Sequence, residues 1–215
     1  MLLNYRRLEI LTLFSLATSL VFAKNRNVSP TIEKPQDPDI LKILHPSGSL
    51  KLVTLGSGEQ LYICNGTAWT PNGAAANLYD ITQKPELWKN ITNTYKNSKY
   101  KADKELIAAK LVKIGKHTFV PDPKGKKVPR FEIGKHSVLA VKNVVMPSPL
   151  HPELNVPWLS LNVTKGDFAE SVLRVSTRGG VAPKAGCKNP DLKKPEEFKS
   201  QYFALYMFFG KVETK

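Results

Sequence analysis

The chain has 215 residues, 41% of them hydrophobic, and a formal net charge of +14. That length and apolar content suit one folded domain with a sizeable core. In the basic stretch from Lys84 to Lys142 nearly all the positive charge is lysine, which disfavours bidentate phosphate recognition, and specific nucleic-acid binding is not expected.

Residues 1–23 read as a signal peptide. Arg6 and Arg7 open it, and Leu8 to Leu20 is mostly apolar, though Glu9 interrupts its start. Val21-Phe22-Ala23 supplies the cleavage site. The apolar run is short for a membrane span, with a signal anchor as the alternative. Membrane contact is expected only through this segment. Its removal takes Arg6, Arg7 and Glu9, so the mature charge falls from +14 to +13. Residues 24–42, with Pro30, Pro35 and Pro38, read as an extended leader. Residues 43–215 read as a single β-rich secreted domain.

Within that domain, Leu50, Leu52 and Thr54 alternate with Lys51 and Val53. Gly56-Ser57-Gly58 punctuates, and Gln60 to Cys64 alternates again. Asn65-Gly66 is a tight-turn dipeptide, Pro71-Asn72-Gly73 reads as a second turn, and Ala74 to Tyr79 as extended. Short helices are expected over Pro85–Tyr95 and Ala102–Lys110. Strands are expected at Leu111–Ile114, His117–Val120, Arg130–Ile133, Ser137–Val145, Trp158–Leu161, Phe168–Thr177 and Gln201–Phe209. Short strands between Gly, Pro and Asn turns indicate an all-β single domain, a sandwich or a barrel, with one or two short helices in insertions.

Secretion makes Cys64 and Cys187 the natural disulfide pair, a free thiol or an intermolecular bridge being the alternatives. Asn65, Asn90 and Asn162 head good glycosylation sequons, and Asn27, before a Ser-Pro, a poorer one. Gly56-Ser57-Gly58 lacks the third glycine and the helix of a dinucleotide cradle, so it reads as a turn between strands. No nucleophile elbow or HExxH motif is present. The histidines His45, His117, His136 and His151 lack ligand spacing, so no metal or cofactor is expected. His117, in an otherwise apolar strand, is the one titratable candidate for a cleft, with Asp80 as a nearby acid. A hydrogen-bonded core histidine is the competing reading. From Lys84 to Lys142 there are 15 Lys/Arg against 5 Asp/Glu. Lys96, Lys99, Lys101, Lys124, Lys126, Lys127 and Arg130 are therefore candidate contacts for an anionic polymer, the alternative being solvated surface charge.

Several segments in order resemble the secreted fungal and bacterial proteins grouped as "domain of unknown function 3455". They are Gly56 to Cys64, Trp69, Gly73 to Asp80, Gly115 to Phe119, Trp158 to Leu161, Arg174 to Pro183, Cys187 and Tyr202 to Phe209. The resemblance implies a secreted β-rich fold with Cys64 and Cys187 bridged, and no established activity. Tyr95–Lys113 and Pro121–Arg130 depart from it, replacing an acidic, Trp-containing stretch of the bacterial members. Some relatives carry a malate dehydrogenase label, which a chain without a Rossmann fingerprint does not support. The expectation is a secreted, extracellular or cell-wall glycoprotein, non-catalytic, binding a surface or anionic polysaccharide. An effector role is a sub-case, and an extracellular enzyme using His117 is the alternative. Oligomeric state stays open.

Overall fold

β1 and β8, at opposite ends of the sequence, pair along almost their whole lengths, and this seam decides the architecture. The computed structural model describes residues 46, 48–84, 86, 87, 111–188 and 193–210. Among them, the strands are β1 (Ser49–Cys64), β2 (Trp69–Asp80), β3 (Lys113–Pro121), β4 (Lys127–Ile133), β5 (His136–Met146), β6 (Trp158–Gly166), β7 (Ser171–Gly179) and β8 (Glu197–Gly210). Each pairs antiparallel with the next, and β8 returns to β1 to close a barrel. Closure removes the two sheet edges, and it selects the barrel over the sandwich. The expected signal peptide, the expected leader and nearly all of both expected helices lie outside the described residues, among which Glu86 and Leu87 alone are helical.

Alternation places one set of side chains inside. Ala74, Ala76 and Leu78 of β2 meet Phe131 of β4, Val138 and Ala140 of β5, and Tyr202, Ala204, Tyr206 and Phe208 of β8 in one core. Phe131 and Phe208 meet edge to face with centroids 5.4 Å apart, and Phe168 lies 5.3 Å from Phe208. Each buried Phe contributes about 2–3 kcal/mol. These rings fill one half of the interior. The other part is walled by more polar residues, among them Gln60, His117 and Arg174.

Small residues make that possible, and here the structure corrects two expected turns. Gly56-Ser57-Gly58 is not a turn but the middle of the unbroken strand β1. A Cβ on Gly56 would enter the Tyr206 ring, and one on Gly58 would meet the Ala75 carbonyl. The glycines are there for close approach, not for chain reversal. Pro71-Asn72-Gly73 is likewise inside β2. Leu61 pairs with Gly73 and Tyr62 with Pro71, so Asn72 is the extra residue of a β-bulge, and Gly73 takes φ 115°.

Two further boundaries move. The strands expected either side of Gly115 are one strand, β3, because Gly115 packs against the Glu132 carbonyl across the β3–β4 ladder. The strand expected from Phe168 starts at Ser171. Asn65-Gly66 does make the β1–β2 turn. The Asn65 Oδ1 accepts from the Ala68 N–H at 2.9 Å and Gly66 has φ 109°.

Candidate functional site

The C-terminal ends of β1, β3, β5 and β7 surround one mouth of the barrel. Here the interior is not filled. A cavity of about 140 Å³ lies among Gln60, Tyr62, His117, Leu161, Arg174 and Tyr206, and reaches solvent at Lys142 and Val145. Val145 is 55% exposed, so an apolar side chain stands at the opening.

Arg174 dominates the electrostatics. It pairs with Tyr206 across β7–β8, on the inward face, and is 7% exposed. Its Nε and Nη2 both donate to the Pro157 carbonyl, at 3.2 and 2.8 Å. That carbonyl belongs to a strap, Asn155–Pro157, laid over the β7 end. The Val156 N–H donates to Gly179 O at 2.9 Å, Thr177 Oγ1 donates to Val156 O at 2.6 Å, and the Gly179 N–H donates to Asn155 Oδ1 at 2.8 Å. The β7–β8 ladder breaks between Val175 and Arg178, where Ser176 takes φ 50°. Among the described residues the cavity lining contains no Asp or Glu, so none of their carboxylates faces the guanidinium.

The neighbouring groups stay neutral. Tyr202 and Tyr206 hydroxyls lie 2.9 Å apart. Burial raises both their pKa values, strongly for Tyr202, while the Arg174 charge acts in the opposite direction. Tyr62 donates to Gly180 O at 2.6 Å, and burial raises its pKa. His117 stacks on Phe131 with centroids 4.3 Å apart and an interplanar angle of 9°. Its Nδ1–H donates to the Arg130 carbonyl at 3.1 Å, which leaves Nε2 as an acceptor. Burial lowers its pKa from 6.5 to about 4, against the Arg130 bond, which raises it.

That shift has a defined sign. Between pH 6.5 and about 4 the unfolded chain binds a proton that the folded chain refuses. Stability is therefore full above pH 6.5 and falls with acidification, by roughly 3 kcal/mol at the limit below pH 4. Urea unfolding of wild type and His117→Gln at pH 7 and pH 4 checks this. Wild type should lose more stability than the variant by about that amount, and equal losses would contradict it.

The same mouth carries the disulfide. Cys64, at the end of β1, is bonded to Cys187 in the β7–β8 loop, with Cα atoms 5.9 Å apart. The Cys187 N–H also donates to Thr67 O at 3.1 Å. The intramolecular pairing is thus the one adopted.

A family model matches residues 46–210, and its description is a protein of unknown function, DUF3455. The chain belongs to the DUF3455 family. No curated protein and no solved structure matches it. The DUF3455 barrel has neither the parallel strands nor the glycine turn of a dinucleotide fold among its described residues.

The barrel separates His117 from its expected acid. Ala76 pairs with His117, whereas Asp80 lies four residues further along β2, exposed and accepting from the Thr82 N–H at 2.9 Å. Lys124 and Lys126 are exposed on the β3–β4 turn at the mouth end, their backbone N–H groups donating to Asp122 Oδ1 at 2.9 and 2.8 Å. Lys127 donates to Asn72 Oδ1 at 2.8 Å, and Arg130 pairs with Glu132 at 3.0 Å on the outer face. Lys96, Lys99, Lys101 and Asn90 lie outside the described residues. Asn65 and Asn162 are exposed. His136 pairs with Asp167 and His151 with Glu153, both on the surface.

Gln60, Tyr62, Arg174, Tyr202 and Tyr206 are the site residues that sequence reasoning missed. A signal existed for one of them. In Val172-Leu173-Arg174-Val175 a charge interrupts an apolar run, and a charged residue inside a covered strand is a marker of function.

Proposed function

We propose that this DUF3455 protein is a secreted, non-catalytic binding protein that takes a small, largely apolar molecule into the mouth of its barrel. The cavity with Arg174 at its wall carries this reading. Eight-stranded barrels are of a size to hold one small ligand, and pockets of this kind combine apolar walls with a few fixed polar groups. The lining offers Phe119, Val156, Leu159 and Leu161 as walls, and Arg174, Gln60 and His117 as polar handles. Among the described residues it offers no Ser, Cys, Asp or Glu, and its histidine and tyrosines are neutral at neutral pH. Binding fits this set better than nucleophilic or acid–base chemistry. The apolar run at 8–20, the sequons at exposed Asn65 and Asn162, and the disulfide support the secreted half of the reading.

A fluorine-NMR screen of small aromatic and short-chain compounds against the intact protein tests it. Hits should raise the melting temperature. Val145→Trp, at the exposed rim, should weaken them about tenfold by filling part of the cavity that Val145 lines (about 1.4 kcal/mol). An absence of hits, or hits indifferent to Val145→Trp, would count against an internal site.

The exposed Lys124 and Lys126 favour a second, surface role, retention on an anionic polysaccharide. Lys124→Ala/Lys126→Ala should elute from a sulfated-polysaccharide resin at clearly lower salt than wild type. Identical elution would remove the turn from that role.

A further inference from the structure

We propose that the ligand of the barrel cavity is a small monocarboxylate, its carboxylate set against the Arg174 guanidinium and its compact apolar body lying inward. This rests on the reading of the cavity as a binding site and names the class of molecule that fits it.

The argument begins with charge. A guanidinium cannot shed its proton at any accessible pH, so Arg174 is a permanent cation. At 7% exposure it has lost most of its water. Its recorded acceptor is the neutral Pro157 carbonyl, and its other polar neighbour is the Tyr206 hydroxyl. Tyr62, His117, Tyr202 and Tyr206 all feel its field, and all four are neutral at neutral pH. Isolated buried charge is costly unless a counter-charge is present. Among the described residues the lining has none of its own, so an incoming anion supplies it.

Size and polarity then narrow the anion. A cavity near 150 Å³ accommodates a molecule of benzene's dimensions, and this one measures about 140 Å³. Most of its wall is hydrocarbon, from Phe119, Val156, Pro157, Leu159 and Leu161. A multiply charged phosphate or sulfate would give up strong hydration for a single guanidinium. A monoanion with an apolar body matches both the one fixed charge and the wall. Carboxylate also suits the guanidinium N–H groups that the Pro157 carbonyl does not take. Lys142, exposed at the opening, adds attraction during entry.

Isothermal titration of the intact mature protein with benzoate and with its neutral analogue benzyl alcohol tests the proposal. Benzoate should bind one site per chain at least tenfold more tightly than the alcohol (about 1.4 kcal/mol). Arg174→Met should abolish that preference while leaving the alcohol's affinity within a factor of about three. Circular dichroism of the variant checks that it folds; should it not, the wild-type comparison of the two compounds decides alone. Equal binding of both compounds overturns the carboxylate inference but leaves an internal apolar site standing. Binding of neither overturns the inference, and if the fluorine screen is also empty, the internal site falls with it. A benzoate preference that survives Arg174→Met places the anion elsewhere and also overturns the proposal.

Discussion

Replacing Cys64 and Cys187 together by alanine should lower the unfolding free energy by about 4–5 kcal/mol. The bridge closes a loop of 123 residues, nearly the whole barrel from the end of β1 to the loop before β8. In the chain-entropy account, a longer closed loop means more disorder removed from the unfolded state. The native state loses little other structure, because Cys64 keeps its backbone bond to Glu196 O at 2.9 Å and Cys187 keeps its own to Thr67 O. For a domain of this size the melting temperature should fall on the order of 10–15 °C. Scanning calorimetry with and without reductant measures it. A drop of only one or two degrees would mean that the unfolded chain gains almost nothing from release. The loss should also be felt at the mouth, since the bridge, the Tyr62 bond to Gly180 and the Asn155–Pro157 strap all anchor the β7–β8 loop. Amide exchange near Gly179–Gly186 should quicken before the rest of the barrel does.

Gly58→Val should be at least as damaging as about 3 kcal/mol and should compromise folding outright. A Cβ at this position meets the backbone of Ala75 and Ala76 on the neighbouring strand, not the mobile end of a side chain. To admit it, β1 and β2 would have to part where Gly58 pairs with Ala76 on one side and Tyr202 on the other. Ser57→Val, one residue earlier and on the opposite face, is the control and should change stability by less than about 1 kcal/mol. Urea denaturation of both proteins compares them. Comparable stabilities would mean that the strand is looser at Gly58 than its packing indicates.

The β-rich class was legible because alternation is local. Ser137–Val145 and Gln201–Phe209 each needed only their own residues to be read as strands. Closure was not legible, because the β1–β8 seam joins residues such as Glu59 and Gln201, 142 positions apart. Local punctuation misled in the same way at three places. Gly56, Gly58 and Gly115 break an alternating pattern on paper, yet they keep the strand continuous by letting a neighbour approach. Asn72 looked like turn chemistry and serves as a bulge.

The candidate site was half visible. His117 stood out as a titratable group in an apolar strand, and it does line the cavity. Arg174 carried a signal as a charge in an apolar run, but the face it points to was not legible, for a physical reason. β7 is buried on both faces, so alternation there cannot separate the residues facing the barrel interior from those facing outward. Leu173 and Val175 point away while Val172 and Arg174 point in, and only the pairing to Tyr206 and Phe208 settles which is which. Asp80, expected as a nearby acid beside His117 in a cleft, lies four residues beyond Ala76, at the C-terminal end of β2. The register that sets Ala76 against His117 fixes that separation.

Crystals of the protein soaked with 4-bromobenzoate, with data collected at the bromine absorption edge, test the central claim most directly. The account predicts one strong anomalous peak inside the barrel, among Phe119, Leu159 and Leu161, with carboxylate oxygens within hydrogen-bonding distance of Arg174. An interior holding only water, with bromine confined to the outer surface near Lys124–Lys127, would contradict it.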